Sequence, residues 1–231
     1  MIVYGRQAVR EALRGPRKIE RVWASRTASE GVDAIAATDE ELTRLCGSPD
    51  HQGVCAQAEP YRYADPAGLL ERDDSIIVAL DEVQDPQNLG AVCRVAECAG
   101  AAGVVIGERR SAQVTSSVCK ASAGAVEHLA IARVRNLADY LGAAKAAGAW
   151  VYGASTASAA IPYDRPDYTG RVVVVFGSEG RGLRPRVAGA CDALVRLPLR
   201  GRLESLNVAA AAAAVMYGIL QLRGERVDRA P

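Results

Sequence analysis

Four consecutive valines, Val172 to Val175, run into Phe176 and then into Gly177-Ser178-Glu179-Gly180-Arg181-Gly182-Leu183. No other stretch of this 231-residue chain constrains its fold as strongly. A β-branched run without polar alternation is a strand buried on both faces, as in a parallel sheet covered by helices. Glycines just past such a strand let the backbone bend sharply and approach a ligand closely. The loop sets one carboxylate, Glu179, and one guanidinium, Arg181, among amides with little side chain around them. That combination suits a polar, partly charged cofactor, and it also suits an ordinary strand-to-helix turn.

The same logic extends along the chain. From Ile76, aliphatic runs alternate with helical periodicity. The pattern predicts strands over 76–80, 103–106, 129–133, 150–154, 172–176 and 194–197, with helices over 89–99, 116–123, 136–147 and 207–222. The predicted turn over 81–88 contains Pro86 and leaves Asn88 as the cap of the following helix. Six alanines, 209–214, open the last helix and allow very close packing. Residues 1–60 read as a smaller α/β unit, with helices over 7–14 and 39–45 and strands over 19–25 and 53–57. Residues 61–75 are rich in Pro, Gly and charge and read as a linker. The expected organisation is therefore 1–60, a linker over 61–75, and a larger α/β domain over 76–231.

Composition sets the outer limits. Apolar residues make up 49% and charged residues 24%, enough for a real core. The formal charge of +1 supplies no global field toward nucleic acid. Locally, Arg181, Arg184, Arg186, Arg196, Arg200 and Arg202 crowd together, with Asp192 the one acidic residue between 181 and 202. Such a face favours a phosphate-bearing substrate, or is a solvated surface. Six cysteines without a C-x-x-C pair, and only two histidines, do not form a zinc-binding pattern, so no metal is expected. Reduced, mostly buried thiols fit a cytoplasmic protein. Arg6 and Arg10 interrupt any signal peptide, and no apolar run reaches membrane-spanning length. The glycine loop is neither a dinucleotide fingerprint nor a Walker loop, and no nucleophile elbow is present.

In parallel sheets, ligands gather at the carboxyl ends of strands. Three polar segments fall there. The first is Asp85-Pro86-Gln87-Asn88-Leu89-Gly90 with Arg94. The second is Gly177 to Leu183. The third is Leu197-Pro198-Leu199 followed by Ser205-Leu206-Asn207-Val208. Asn88 is a helix cap or a substrate-orienting group. Arg94 is a salt-bridge partner of Glu97 or a functional cation set among apolar neighbours. Ser205 and Asn207 are helix caps or site residues. Asn88 and Arg94 lie roughly 120° apart around a helix, so they need not meet each other, yet each is free to face one cleft.

In order and spacing, Asn88-Leu89-Gly90-Ala91 with Arg94, Phe176-Gly177-Ser178-Glu179-Gly180 with Gly182, and Leu197-Pro198 with Ser205-Leu206-Asn207-Val208 resemble the three motifs of the SpoU branch of the SPOUT RNA methyltransferases. Tyr4-Gly5 and His51-Gln52-Gly53-Val54 resemble the small ribosomal-protein-like RNA-binding domain of that branch. The likeness is greatest to the type that methylates a guanosine ribose in 23S rRNA. A transfer-RNA ribose methyltransferase, or a non-catalytic RNA-binding module with a vestigial site, is the alternative. The resemblance implies an α/β fold with a parallel sheet and a C-terminal deep trefoil knot, S-adenosylmethionine as cofactor, RNA as partner and a homodimer. It implies cofactor contacts from Gly177, Glu179, Gly180, Leu197, Leu206 and Asn207. Arg94, Asn88, Glu179, Ser205 and Asn207 would serve catalysis, and Arg181, Arg184, Arg200 and Arg202 would meet RNA. Ala209 stands where relatives often carry serine.

Overall fold

A computed structural model of the chain describes residues 1–26 and 33–224. Residues 225–231, the end of the expected 76–231 domain, lie outside the described residues. In chain order the elements are β1 (Ile2–Tyr4), α1 (Arg6–Arg14), β2 (Ile19–Ala24), β3 (Ile35–Ala36), α2 (Asp39–Cys46), β4 (Val54–Ala58), β5 (Ile76–Asp81), α3 (Pro86–Cys98), β6 (Gly103–Gly107), α4 (Ser116–Ala121), β7 (Ile131–Val134), α5 (Leu137–Ala146), β8 (Trp150–Ala154), β9 (Ile161–Pro162), β10 (Val172–Gly177), α6 (Pro185–Ala188), β11 (Ala193–Arg196) and α7 (Val208–Leu222).

The chain divides into two compact units. The first comprises residues 1–62, 86–94 and 113–129; the second comprises 63–85, 95–112 and 130–231. Unit boundaries therefore differ from the expected cut at residues 60 and 76. Of the segment read as a linker, residues 61–62 belong to the first unit and 63–75 are built into the second. Leu69 is buried in its core, Ala64 bridges Ala132, and the Arg133 guanidinium lies 4.0 Å over the Tyr63 ring. Pro and Gly mark a change of direction there rather than a free tether.

In the first unit the sheet order is β1-β4-β2-β3, antiparallel except between β2 and β3. Tyr4, Leu42 and Cys55 form its small core. Helix α2 starts with a reciprocal capping box: Thr38 Oγ1 accepts from the Glu41 amide, and Glu41 Oε2 accepts from the Thr38 amide. Gly47, at φ +69°, ends it. A buried ion pair ties the early and late parts of this unit together. The Glu127 carboxylate is inaccessible to solvent, and Arg17 grips both its oxygens, with Nε donating to Oε2 at 2.8 Å and Nη2 paired to Oε1. Removing one partner of such a pair leaves an uncompensated buried charge, at a cost of about 3–5 kcal/mol.

Helix α3 begins at Pro86, three residues earlier than the sequence suggested. Proline is pre-organised for the first helical position, where its missing N–H is not needed. Asn88 is consequently the third residue of the helix and not its cap. In the same unit α3 packs closely on α4: a Cβ at Gly90 would come within 2.5 Å of the Ala121 Cβ.

The second unit holds a wholly parallel sheet of seven strands, in the order β7-β6-β5-β10-β8-β11-β9. Strands β5 and β10 are its centre, and the four valines are inaccessible to solvent. Burying each contributes about 1.5–3 kcal/mol. Alternate residues (Ile77 and Ala79, Val105, Val151, Val173 and Val175) share one face with Leu137, Leu141 and Ala144 of α5. Helix α7 packs on β10 and buries Val208, Ala212, Val215, Met216, Ile219 and Leu220. Of the six alanines only Ala212 is fully buried within the chain, and Ala210 and Ala214 are exposed. The tight contact lies further along, where a Cβ on Gly218 would come within 2.5 Å of the Tyr163 ring. Among the described residues, no helix is long and apolar enough to cross a membrane.

Candidate active site

Strand β10 delivers its glycine loop at the carboxyl edge of the second unit's sheet. The loop then folds back across its own start. Ser178 and Gly182 form an antiparallel bridge, closed by the Gly182 amide donating to the Ser178 carbonyl at 2.9 Å. A Cβ on Gly177 would stand 2.2 Å from the Gly182 carbonyl group, so only glycine fits there. Gly180 and Gly182 adopt φ of +80° and +64°, a conformation that glycine takes without steric cost.

The second and third polar segments meet beside this loop. Asn207 Nδ2 donates to Glu179 Oε1 at 2.7 Å. The Asn207 Oδ1 accepts from the amides of Ala209 at 2.9 Å and Ala210 at 3.4 Å, which makes Asn207 the cap of α7. One side chain therefore both starts the helix and holds the carboxylate of the loop. Ser205, exposed, does not cap the helix.

A cavity of about 740 Å³ opens here. Its lining includes Gly177, Glu179, Gly180, Arg181, Leu197, Ser205, Leu206 and Asn207, all singled out from sequence. Phe176, Leu194, Val195 and Leu199 supply apolar wall. Ser155 and Thr156, at the carboxyl end of β8, also line it and were missed. Their position at a strand end in the polar run Ser155-Thr156-Ala157-Ser158 was the available signal. A second cavity, about 770 Å³, shares Thr156, Leu197, Leu199 and Glu204 with the first and adds Tyr163, Asp164, Arg196 and Arg200.

Asn88 and Arg94 stand on the part of α3 that belongs to the first unit. Asn88 is half-buried and Arg94 exposed. Among the described residues Arg94 makes no ion pair, so the alternative role as a partner of Glu97 is not taken up. Arg200 and Arg202 are likewise exposed and without an ion pair among the described residues, as is Arg181. Arg184 differs from that set. Its guanidinium is held by the buried Asp81 carboxylate at 2.7 Å and by Glu82 at 3.4 Å. The hydrogen bonds to Asp81, more than the neighbouring negative charge, raise its pKa above the ordinary arginine value. A cation neutralised in this way is not a free contact for RNA phosphate, so its assignment to the RNA face is withdrawn. Asp81 was not anticipated: in sequence it merely closes an aliphatic strand.

The arrangement is suited to a particular kind of ligand. Bare amides, a carboxylate and an aliphatic wall around about 740 Å³ fit a molecule with a planar apolar part, hydrogen-bonding edges and a positive charge.

Comparison with known proteins gives the same picture. A family model described as the SpoU rRNA Methylase family matches residues 75–217. A second, described as RNA 2'-O ribose methyltransferase substrate binding, matches residues 2–64. An uncharacterized tRNA/rRNA methyltransferase of Synechocystis is 36% identical over 96% of this chain, which spans 63% of that protein's length. The Bacillus subtilis protein YacO, assigned to the TrmH family of tRNA/rRNA methyltransferases, is 35% identical over 96% of this chain and 95% of its own. Among solved structures, the AdoMet-bound rRNA methyltransferase of Sinorhizobium meliloti superposes with a TM-score of 0.81 at 27% identity, covering 95% of this chain and 86% of that one.

Proposed function

The chain belongs to the SpoU rRNA methylase family, and from that premise we propose that it transfers a methyl group from S-adenosylmethionine to a ribose 2'-hydroxyl of RNA, a guanosine of 23S rRNA. The observation that carries this reading is the junction of Glu179 and Asn207 over the glycine loop, at the mouth of a cavity of matching size and chemistry. The donor supplies an already activated methyl on a positively charged sulfur. The residues of this chain have two tasks: to hold that group in line with the sugar oxygen, and to help the hydroxyl lose its proton.

Holding falls to the second unit. The main chain over 177–183, apart from the Gly182 amide that closes the loop on Ser178, offers donors, Leu197, Leu199 and Leu206 offer apolar surface, and Glu179 offers negative charge. Such positioning is worth up to about 7–11 kcal/mol in the best intramolecular cases. Ser205 and Asn207 order the third segment. Arg94 we assign to the substrate. Its guanidinium offers five donors and no acceptor, so it does not take up the proton of the hydroxyl. As a cation it binds the neighbouring phosphate and stabilises the alkoxide as charge develops. Asn88 orients the ribose. Arg181, Arg200 and Arg202 meet the RNA backbone, and the 1–60 region adds the substrate-binding surface that its matching family model describes.

Two further features belong to the same reading. The deep trefoil knot fits the sheet order, in which β11 lies between β8 and β9, strands formed before it. A homodimer fits the exposed Leu199, Leu203, Leu206, Tyr217 and Leu222 of the second unit, and free thiols fit a reducing cytoplasm.

The test is methylation of candidate RNAs by the purified protein with tritiated donor, followed by mass mapping of the labelled nucleotide. Label on a 23S rRNA guanosine ribose is expected. Label on transfer RNA would move the substrate, and no label with any RNA would leave a binding module. Arg94→Ala is expected to lower turnover at least about 100-fold while calorimetry shows donor binding unchanged; ordinary turnover would remove Arg94 from the chemistry.

A further inference from the structure

Arg184 stands one residue past the glycine loop, and its side chain pairs with Asp81 and Glu82 at the end of β5. In the sheet, Asp81 is the register partner of Gly177. The Asp81 side chain is inaccessible to solvent. Its Oδ2 accepts from the Arg184 amide at 2.8 Å, its Oδ1 accepts from Arg184 Nε at 2.7 Å, and Arg184 Nη2 lies in ion-pair contact 2.7 Å from the same Oδ1. One carboxylate thus holds both the main chain and the side chain of the same residue. Glu82 lies under the same guanidinium, with Oε1 3.4 Å from Arg184 Nη1 and 3.5 Å from Arg110 Nη1. Glu82 and Arg110 each adopt φ of +56°, a backbone conformation uncommon outside glycine. The chain accepts that strain where the carboxylates converge on Arg184. On the other side, Leu183 packs against Gly153, whose missing side chain makes the room: a Cβ there would come within 2.7 Å of Leu183 Cδ1.

We propose that the Asp81–Arg184 pair is a positioning device for the donor site, fixing the return limb of the loop over 177–183 so that its amides stay turned to the cavity. Asp81 and Arg184 are positioning residues: neither lines the first cavity. They act through the loop whose ends they join to the sheet. Two charge-assisted hydrogen bonds and an ion contact to a buried carboxylate are the strong kind, and the pair of contacts from Nε and Nη2 is specific to the planar guanidinium. The loop itself has few apolar anchors of its own, since it is mostly glycine and exposed charge. A pair placed at its end therefore decides how tightly the donor is held, and leaves untouched the groups that act on the sugar oxygen.

The proposal rests on the first cavity being the donor site, and the experiment keeps the two apart. Donor affinity of the purified full chain is measured by calorimetry for the wild type, Arg184→Met, Arg184→Lys and Asp81→Asn, and amide hydrogen exchange is followed over 177–184. Arg184→Met should weaken donor binding about tenfold or more, raise KM for the donor with turnover at saturation near wild type, and speed exchange in the loop alone. Arg184→Lys keeps the charge without the fork and should recover part of the affinity. The salt dependence of RNA binding should stay unchanged in all variants. If Asp81→Asn fails to fold, the two Arg184 variants, whose guanidinium is half-exposed, carry the test. Donor affinity within twofold of wild type in folded Arg184→Met, or unaltered loop exchange, would overturn the tether. A wild type that binds no donor would overturn the site reading, while the exchange comparison would still report on the tether. A shallower salt slope for Arg184→Met would return Arg184 to the RNA face.

Discussion

Asn207 does two jobs with one amide group: its oxygen caps α7 and its nitrogen holds Glu179. Removing it costs helix stability and loop order together. Asn207→Ala should lower stability by about 1 kcal/mol, the usual worth of such a cap, and weaken donor binding about threefold to tenfold; thermal unfolding and calorimetry would read the two separately. An intact affinity would leave Asn207 with the cap alone. The thiols illustrate how burial silences chemistry at the same scale. Burial, with a smaller contribution from neighbouring charge, pushes Cys93 and Cys119 up to about 12. A raised thiol pKa means less thiolate at any lower pH, about one part in ten thousand at pH 8. Alkylation at that pH should therefore label exposed Cys98 and spare Cys93 and Cys119 until the chain is unfolded, which peptide mass spectrometry resolves. Asn207, whose chemistry as a cap is local, was legible in the sequence. Asp81 was not, because its meaning depends on Arg184, 103 positions away.

The glycine loop shows the same division among elements. Its existence follows from four valines that end in glycine. Its shape, a tight return with Gly182 lying across Gly177, depends on a contact that no local propensity encodes. Gly177→Ala would set a methyl 2.2 Å from the Gly182 carbonyl group and should abolish donor binding, with at least about 2 kcal/mol lost in chemical denaturation; a well-folded, donor-binding variant would show that the loop can open at no cost. Gly180→Ala meets no atom within 4 Å but must hold φ at +80°, so it should cost only about 1 kcal/mol. Long strands and helices were read to within a few residues because period and caps agree. The short elements β1, β3, β9 and α6, two to four residues each, were missed. Such segments carry too few residues for a periodicity and exist because a longer neighbour pairs with them. Helix α3 was begun too late because Pro86 was taken as a breaker, although at a first position it is a starter.

Over the whole molecule, charge and topology govern. A chain of net charge +1 meets a polyanion through placement of its arginines rather than through their number. Arg200 and Arg202 are exposed, and replacing both with Gln should reduce the slope of log affinity against log salt by about 1.4 for single-stranded RNA. An unchanged slope in a titration of binding against salt would take both off the RNA face. The parallel sheet was legible as alternation, but its order was not, since hydrophobic runs do not state their neighbours. That order carries a consequence for the living cell. Strand β10 fills the place between β5 and β8, and β11 the place between β8 and β9, so each arrives after both its flanking partners have been synthesised. While the ribosome is still extending past Ala154, β5 and β8 present unpaired aliphatic edges, the surfaces by which nascent proteins stick to one another. The polypeptide is at its most vulnerable until residues 172–196 emerge, and its yield is expected to depend on how quickly that stretch follows Ala154.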